Sequence, residues 1–321
     1  MKDLHELKLI RELTHFNDDL IETHELDRVY VNGSSYPIIA FSIGSKRKDV
    51  PVLGLFGGVH GLERVGSHVV ITYLTSLFKQ LSWDKELRAS FSECRIVSIP
   101  LINPGGMALH SRSNPNGVDL MRNAPIDCEE DETPTFLVSG HRISSKLPWY
   151  RGEEGKPMET ESQALVDFCK EELFSSPAAI TVDFHSGFGM KDRLWFPYAK
   201  SSQPFPRIKE VQKLKDILDE TLPHHVYKIE PQFDSYTISG DLWDYIFDLH
   251  KEENKSNQNI LIPWTLEMGS WIWVKKNPIQ IFTAGGFFNP IKSHRYDRTM
   301  RRHMLLIDFL FRASRNFPSW I

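Results

Sequence analysis

Two short segments place possible metal ligands next to glycine at the end of an apolar run. His60 and Glu63 lie three residues apart in the segment 57–63 (GGVHGLE), and His185 follows the apolar run 178–184. Imidazole and carboxylate groups are good zinc ligands, and two histidines with one carboxylate leave a fourth position open, as in catalytic zinc sites. We therefore predict that His60, Glu63 and His185 bind one Zn²⁺ per chain. The alternative for each histidine is a structural role, bonded to nearby backbone.

A third candidate is Glu267, which follows the largely apolar run 260–266. A buried carboxylate needs a partner, and a metal with its water would supply one. Glu267 is then the expected general base for hydrolysis. An ordinary salt-bridged glutamate is the alternative, and Pro263 leaves open whether this stretch is a regular interior strand.

The elements that must position these residues alternate between strands and helices. Apolar β-type runs predict buried strands over 51–58, 94–102 and 178–184, and Asn32-Gly33 predicts a hairpin turn. Helical spacing predicts an N-terminal helix within 1–24 and further helices over 64–81, 159–174, 207–222 and 297–317. This pattern indicates a single α/β domain over 1–321, with a central mixed, mostly parallel twisted sheet flanked by helices.

In such a sheet, ligands bind in the crevice beyond the carboxyl ends of the strands. His60, His185 and Glu267 all follow apolar runs and should therefore meet there. The loop-rich stretch 103–157 lies between two of the predicted strands, and a long structured loop in a compact domain is usually functional.

Composition narrows the choice of partners and compartment. The formal net charge of the 321 residues is −4, which makes nucleic acid and membrane poor partner predictions. The three cysteines, Cys94, Cys128 and Cys169, are widely spaced and fit a reducing compartment. The charged opening segment is not typical of a signal peptide, so we expect a cytoplasmic protein.

Ordered motifs along the chain resemble those of zinc carboxypeptidases of the carboxypeptidase A superfamily. The matching segments are the His-x-x-Glu…His pattern, 103–106 (NPGG), 112–123 (RSNPNGVDLMRN), Tyr150 with 157–161, and 236–240 (YTISG). Glu267 falls where the family has its catalytic glutamate. The matches run in order from about residue 50 to about residue 270.

The resemblance implies roles for further residues. Arg112 would polarise the scissile carbonyl and stabilise the oxyanion, for which a permanently charged guanidinium is suited. Arg122, with Asn123 beside it, would bind a substrate carboxylate, and Tyr236 would close over the substrate. From spacing alone, ordinary ion pairs are the alternative for both arginines.

Asp241 and Trp243 fall near positions that line the side-chain pocket of digestive family members. We therefore include both among the substrate-binding candidates, with a structural role as the alternative. An acidic group there would favour a cationic substrate group.

Two positions depart from the family pattern. Met121 stands where an asparagine helps to bind the terminal carboxylate, and Leu62 stands where digestive members have an arginine. Methionine cannot donate a hydrogen bond. These changes leave the hydrolytic residues intact but bear on what the enzyme recognises.

The leading prediction is a zinc metallopeptidase or amidase that acts on a small peptide. The alternative is a deacylase of acyl amino acids, similar to aspartoacylase and succinylglutamate desuccinylase. A binding module that retains the fold without catalysis is a third possibility.

Overall fold

A mixed β-sheet runs through the middle of this computed structural model, which describes residues 4–129, 137–256, 258–283 and 285–321. Within those residues its eight strands are β1 (Ile21–Val31), β2 (Ser34–Gly44), β3 (Val52–Gly57), β4 (Arg95–Ile99), β5 (Ala178–Ser186), β6 (Arg193–Phe196), β7 (Lys228–Pro231) and β8 (Ile260–Met268). Their order across the sheet is β1-β2-β4-β3-β5-β8-β6-β7. The pairs β3–β4, β3–β5, β5–β8 and β6–β7 are parallel, and the others are antiparallel.

Helices cover the sheet, as the alternating sequence pattern predicts. In the described part of the chain they are α1 (His5–Thr14), α2 (Arg64–Leu81), α3 (Lys85–Ser90), α4 (Pro104–Ala108), α5 (Thr160–Leu173), α6 (Ile208–Thr221), α7 (Leu242–Glu253), α8 (Trp271–Lys276) and α9 (Ser293–Arg315). Helices α2 and α9 pack against each other and against β3 and β5, while α5 packs against α7. The predicted single α/β domain with a mixed sheet is confirmed.

The strands that carry the candidate residues lie at the centre of the sheet. Every residue of β3, β5 and β8 is buried, which agrees with their nearly continuous apolar sequences. Because these three strands are parallel neighbours, their carboxyl ends meet at one edge, with His185 opposite Glu267. Pro263 is compatible with this interior strand because β6 pairs only with residues 265–267, further along β8.

Local sequence patterns predicted two elements accurately. The helix predicted over 64–81 is confirmed with the same bounds. The hairpin at Asn32-Gly33 is also confirmed, since β1 and β2 pair antiparallel on either side of it. Both turn residues have positive φ, 49° and 74°, the backbone conformation that a two-residue hairpin loop requires.

The N-terminal helix is shorter than the range 1–24 that the apolar spacing predicts. In the described residues, which begin at 4, helix α1 ends at Thr14 and β1 begins at Ile21. Asp18 turns the chain between them by accepting a hydrogen bond from the Leu20 amide at 3.0 Å. Leu20 still packs against the core. The apolar spacing therefore predicted correctly that Leu20 contacts the core, but not that the helix ends before it.

Candidate metal centre and catalytic cavity

The predicted metal ligands lie where β3 and β5 end at the same edge of the sheet. His60 follows β3 after a turn at Gly58, whose φ of 67° lies in the left-handed region that glycine adopts readily. Glu63 directly precedes α2, and His185 is the last but one residue of β5. The turn and the strand end therefore bring three distant side chains together.

The ligand atoms of these three residues converge. The Nδ1 atom of His60 lies 2.9 Å from Oε1 of Glu63, and the Nδ1 atom of His185 lies 3.4 Å from Oε2 of the same carboxylate. One ligand atom from each residue lies within 4.8 Å of the other two. All three side chains are buried, so the group is shielded from bulk water.

An aspartate lies behind each histidine. The Nε2 atom of His60 bonds to Oδ1 of Asp119 at 3.1 Å, and that of His185 bonds to Oδ2 of Asp183 at 2.9 Å. Such carboxylates fix the ring orientation of a metal-ligating histidine and increase its basicity. With Nε2 engaged in each ring, Nδ1 is the nitrogen left to bind an ion.

These groups fit a zinc ion. The Nδ1 atom of His60 is buried and has no hydrogen-bond partner among the described residues, and it faces Glu63. Burial favours a neutral His185, yet Asp183 and Glu63 raise the pKa of its imidazolium well above the usual range. The centre thus has a surplus of buried negative charge that a cation would neutralise, and its donors are those that zinc prefers.

Two arginines connect this centre to the loop that follows α4. Arg112 donates from Nε to Oδ2 of Asp119 and from Nη1 to Oε1 of Glu63, both at 3.0 Å. Arg122 donates from Nη1 to Oδ2 of Asp119 at 3.0 Å and from Nε to the Val138 carbonyl at 2.9 Å. Burial opposes ionisation of Asp119, but the two guanidinium groups hold its pKa well below the usual range.

Glu267 lies on β8 beside the three ligands. Its Oε1 atom accepts a hydrogen bond from the Phe188 amide at 2.9 Å. Burial, reinforced by the negative charge of Glu63, raises the pKa of Glu267 to about 8. A carboxyl group with a pKa near neutrality can both accept and return a proton at physiological pH.

These side chains line one cavity of about 570 Å³. Its wall includes the three predicted ligands, Glu267, Arg112, Arg122, Met121 and Tyr236, together with the aromatic residues Trp149, Phe188, Trp195, Phe287 and Phe288. The structure thus places the predicted ligands, the predicted base and the two arginines around one cavity. Polar groups converge at its base, while its walls are largely apolar, as is typical of small-molecule and peptide sites.

Tyr236 reaches the cavity from the segment that follows β7. Its ring contacts Phe188 and Trp195, with centroid distances of 5.7 Å and 5.8 Å. Burial raises the pKa of the Tyr236 phenol to about 12, so the hydroxyl stays protonated and can donate a hydrogen bond.

Asn123 does not line this cavity. Its Nδ2 atom donates to the Arg151 carbonyl at 2.9 Å, and its Oδ1 atom accepts from the Glu159 amide at 2.7 Å. It connects the loop to the start of α5. The side-chain amide of Asn123 is occupied by backbone groups away from the cavity, and its contact with substrate stays a prediction.

Asp241 and Trp243 also lie outside the cavity. Asp241 precedes α7, and its Oδ1 atom accepts hydrogen bonds from the amides of Trp243 and Asp244 at 2.9 Å. The Nε1 atom of Trp243 donates to Oδ2 of Asp183 at 3.0 Å, the atom that also accepts from His185. Asp241 therefore caps a helix, and Trp243 contacts His185, a predicted metal ligand, through Asp183.

The predictions from sequence assigned no role to Asp119 or Asp183, although a signal was present for both. Each is a charged residue between apolar neighbours, in Val-Asp-Leu and Val-Asp-Phe. A carboxylate buried in this way needs a partner. Asp183 is also two residues from His185 on one strand, so both side chains point to the same face of the sheet.

Two histidines and one carboxylate that could hold a metal ion, with a buried glutamate in the same cavity, form the arrangement expected of a metallohydrolase. Comparison with known proteins identifies the family. The sequence model of the zinc carboxypeptidase family matches residues 14–271, and this chain belongs to that family. The chain accordingly carries a zinc carboxypeptidase domain.

Individual relatives are distant in sequence. Carboxypeptidase SOL1 of Arabidopsis thaliana is 25% identical over 107 residues, which make up 32% of this chain and 22% of that protein. The structure of thrombin activatable fibrinolysis inhibitor matches this fold with a TM-score of 0.69 at 16% identity. The match covers 96% of this chain and 72% of the inhibitor chain. Carboxypeptidase A from Helicoverpa armigera has a TM-score of 0.58 at 16% identity, covering 94% and 72%. At this identity the structural likeness shows the shared fold.

Among the described residues, none of the helices is both long enough and apolar enough to cross a membrane.

Proposed function

We propose that this protein is a zinc-dependent metallopeptidase or amidase that hydrolyses an amide bond in a small peptide. The observation that carries the proposal is the convergence of the His60, Glu63 and His185 ligand atoms on the cavity that also contains Glu267. One zinc ion per chain would be held by these three residues. When bound there, zinc supplies a Lewis acid that acidifies water and polarises a carbonyl group.

Glu267 is the proposed general base. It lies beside the ligands in the same cavity, where the positive charge of a bound zinc ion would favour the carboxylate form that takes a proton from water and returns it to the leaving amine. Its hydrogen bond from the Phe188 amide holds one carboxylate oxygen and leaves the other free to act on the proton.

Arg112 is the proposed oxyanion donor. Its Nε and Nη1 atoms are held by Asp119 and Glu63, so the guanidinium plane is fixed and Nη2 is left to face a substrate. Removal of one preorganised oxyanion donor typically costs about 3 kcal/mol of transition-state stabilisation.

Arg122 and Tyr236 are the proposed substrate-binding residues. Asp119 and the Val138 carbonyl occupy Nη1 and Nε of Arg122, which again leaves Nη2 for a substrate group. The Tyr236 hydroxyl is a donor in the same cavity.

Met121 in the cavity wall supports a second candidate, a deacylase of N-acyl amino acids. This residue contributes a thioether where an amide donor would bind a terminal carboxylate, so a substrate that lacks a standard peptide C-terminus is also compatible. Assays on C-terminal dipeptides and on N-acyl amino acids separate the two, because only one class should show metal-dependent turnover.

The test of the mechanism is Glu267→Gln. We expect the purified variant to contain about one zinc per chain by elemental analysis and to lose roughly 10²–10⁴-fold in kcat, the range typical of general-base catalysis. Glu161→Gln is the matched control, because burial also raises the pKa of Glu161, to about 7, at a position outside the cavity. Near-normal turnover by Glu267→Gln would refute its role as the base.

A further inference from the structure

The segment that follows β8 carries apolar side chains that project into solvent. After α8, a 3₁₀ turn spans Pro278–Phe282. Its side chains Ile279, Ile281 and Phe282 are 75%, 51% and 88% exposed, and we refer to these three residues as the apolar tip. Large apolar residues clustered in this way usually mark an interaction surface.

Buried polar contacts hold the apolar tip in place. Gln280, within the turn, is buried and donates from Nε2 to the Gly286 carbonyl at 2.6 Å. Asn289 then connects the segment to the backbone on either side of Glu63. It donates from Nδ2 to the Leu62 carbonyl at 2.8 Å and accepts from the Val65 amide at 2.9 Å. The single polar side chain among residues 279–282 thus points inward while the apolar ones point outward, so their exposure is built into the fold.

The residues on either side of the apolar tip in sequence are rich in positive charge. Residues 271–302 contain seven lysines and arginines and a single acidic residue, Asp297, although the chain as a whole has a net charge of −4. Lys275, Lys276 and Lys292, which flank the tip in sequence, are all exposed. Arg295 brings the start of α9 against α8 by donating from Nη1 to the Trp273 carbonyl at 3.0 Å.

This surface adjoins the mouth of the catalytic cavity. Phe287 and Phe288, shortly after the tip, line the cavity wall. Trp271, which is 40% exposed, donates from Nε1 to the Gly187 carbonyl at 2.8 Å, two residues beyond His185. The segment that carries the apolar tip therefore also supplies part of the cavity wall.

We propose that the apolar tip and its flanking lysines dock this protein on an anionic lipid surface. Apolar side chains inserted among headgroups, together with cations that face anionic lipids, are the two components of peripheral membrane binding. A projecting tip suits a fluid interface, which needs no complementary groove. A symmetric pair of copies joined at this surface would instead bring like charges together. The expectation of no membrane partner depended on net charge, which conceals this local concentration of cations.

The test is sedimentation of the full-length protein with vesicles. We expect binding to vesicles of equal parts phosphatidylcholine and phosphatidylglycerol, much weaker binding to phosphatidylcholine alone, and a decrease as salt is raised. Ile279→Ser combined with Phe282→Ser should weaken binding at least about tenfold through lost apolar burial. Lys275→Glu combined with Lys276→Glu should weaken it about tenfold and reduce the salt dependence.

Matched controls come from elsewhere on the surface. Trp83→Ser removes a side chain that is 70% exposed, and Lys213→Glu reverses an exposed charge on α6; both should bind as the wild type does. Vesicle binding that is absent, or equally weakened by the controls, overturns the proposal. So does a change on tip substitution that is confined to the oligomeric state or to the KM for a peptide. None of these readings requires the proposed hydrolase to be active.

Discussion

Asp119 and Asp183 both stand behind a predicted zinc-binding histidine, yet they are held in different ways. Asp119 lies on irregular backbone and accepts hydrogen bonds from His60, Arg112 and Arg122. Asp183 lies within the central strand β5 and accepts from His185 and from the neutral indole of Trp243.

The difference follows from the backbone on which each aspartate lies. In β5 the sheet itself orients Asp183 toward His185, so a neutral partner is sufficient. On the loop no regular backbone orients Asp119, so hydrogen bonds from two guanidinium groups hold it toward His60 instead. Asp119 should therefore contribute more to the stability of the fold, and Asp183 should mainly affect zinc affinity.

The largest expected effect is that of Asp119→Asn on stability. The substitution leaves the buried Arg122 without its carboxylate and removes one of the two carboxylates that hold the half-buried Arg112. Loss of one partner from a buried ion pair typically costs about 3–5 kcal/mol. Urea unfolding of the metal-free protein measures this. An equal loss of unfolding free energy in Asp183→Asn would show that the two aspartates contribute equally to stability.

A second prediction asks whether pairing with cations stabilises the fold away from the metal centre. Glu6 on α1 is buried and accepts hydrogen bonds from Arg64 and His68 at 2.8 Å and 2.9 Å. Burial opposes its ionisation, but these partners lower the pKa of Glu6 to about 2. A lowered pKa stabilises the folded state above the unfolded value, by about 3 kcal/mol here.

That stability should be lost as the pH falls from 4.5 toward 2, because the unfolded state then binds the proton first. Glu6→Gln should accordingly be less stable than the wild type at pH 7 and equally stable near pH 2, as measured by urea unfolding across pH. Glu12→Gln, an exposed position on the same helix, is the control. A difference that is independent of pH would argue against the ion pair.

The third prediction concerns zinc affinity at the strand-held aspartate. Asp183→Asn should weaken zinc binding about 10–100-fold, because outer carboxylates tune the basicity of the ligating imidazole. Competition with a chromophoric chelator gives the dissociation constant directly. Affinity equal to that of the wild type would mean that β5 alone positions His185.

The smallest expected effect is that of Trp243→Phe. It removes the indole donor to Asp183 but keeps a ring that packs on Phe56, so zinc affinity should fall only about 3–10-fold. Trp264→Phe is a close control, since Trp264 is equally buried but its Nε1 atom has no hydrogen-bond partner among the described residues. Equal behaviour of the two variants would show that the hydrogen bond of Trp243 is dispensable.

Sequence patterns predicted the elements whose residues are apolar over their whole length. Three such elements could be predicted from their patterns. Strands β3 and β5 are buried along a continuous run, and helix α2 is buried along a helical stripe. The short strands β6 and β7 carried no such signal. They have four residues each, and pairing with β8 and with each other makes them strands.

The ligand residues could be anticipated because parallel strand ends must meet at one edge of a sheet. The sequence by itself thus determined which side chains could carry hydrolytic chemistry and roughly where they would gather. The structure places Asn123, Asp241 and Trp243 outside the cavity, since a position in a motif does not say which way a side chain points.

Only the tertiary structure decided what stands behind and around those residues. Trp243 reaches Asp183 across 60 positions of sequence, and no local pattern encodes such a contact. Residues 279–282 have the composition of a buried segment, yet the fold buries Gln280, whose Nε2 atom donates to the Gly286 and Asn289 carbonyls, and leaves the apolar side chains exposed. Local sequence determines what a residue can do, but the packing of distant segments determines its partners, because burial and contact are properties of the whole chain.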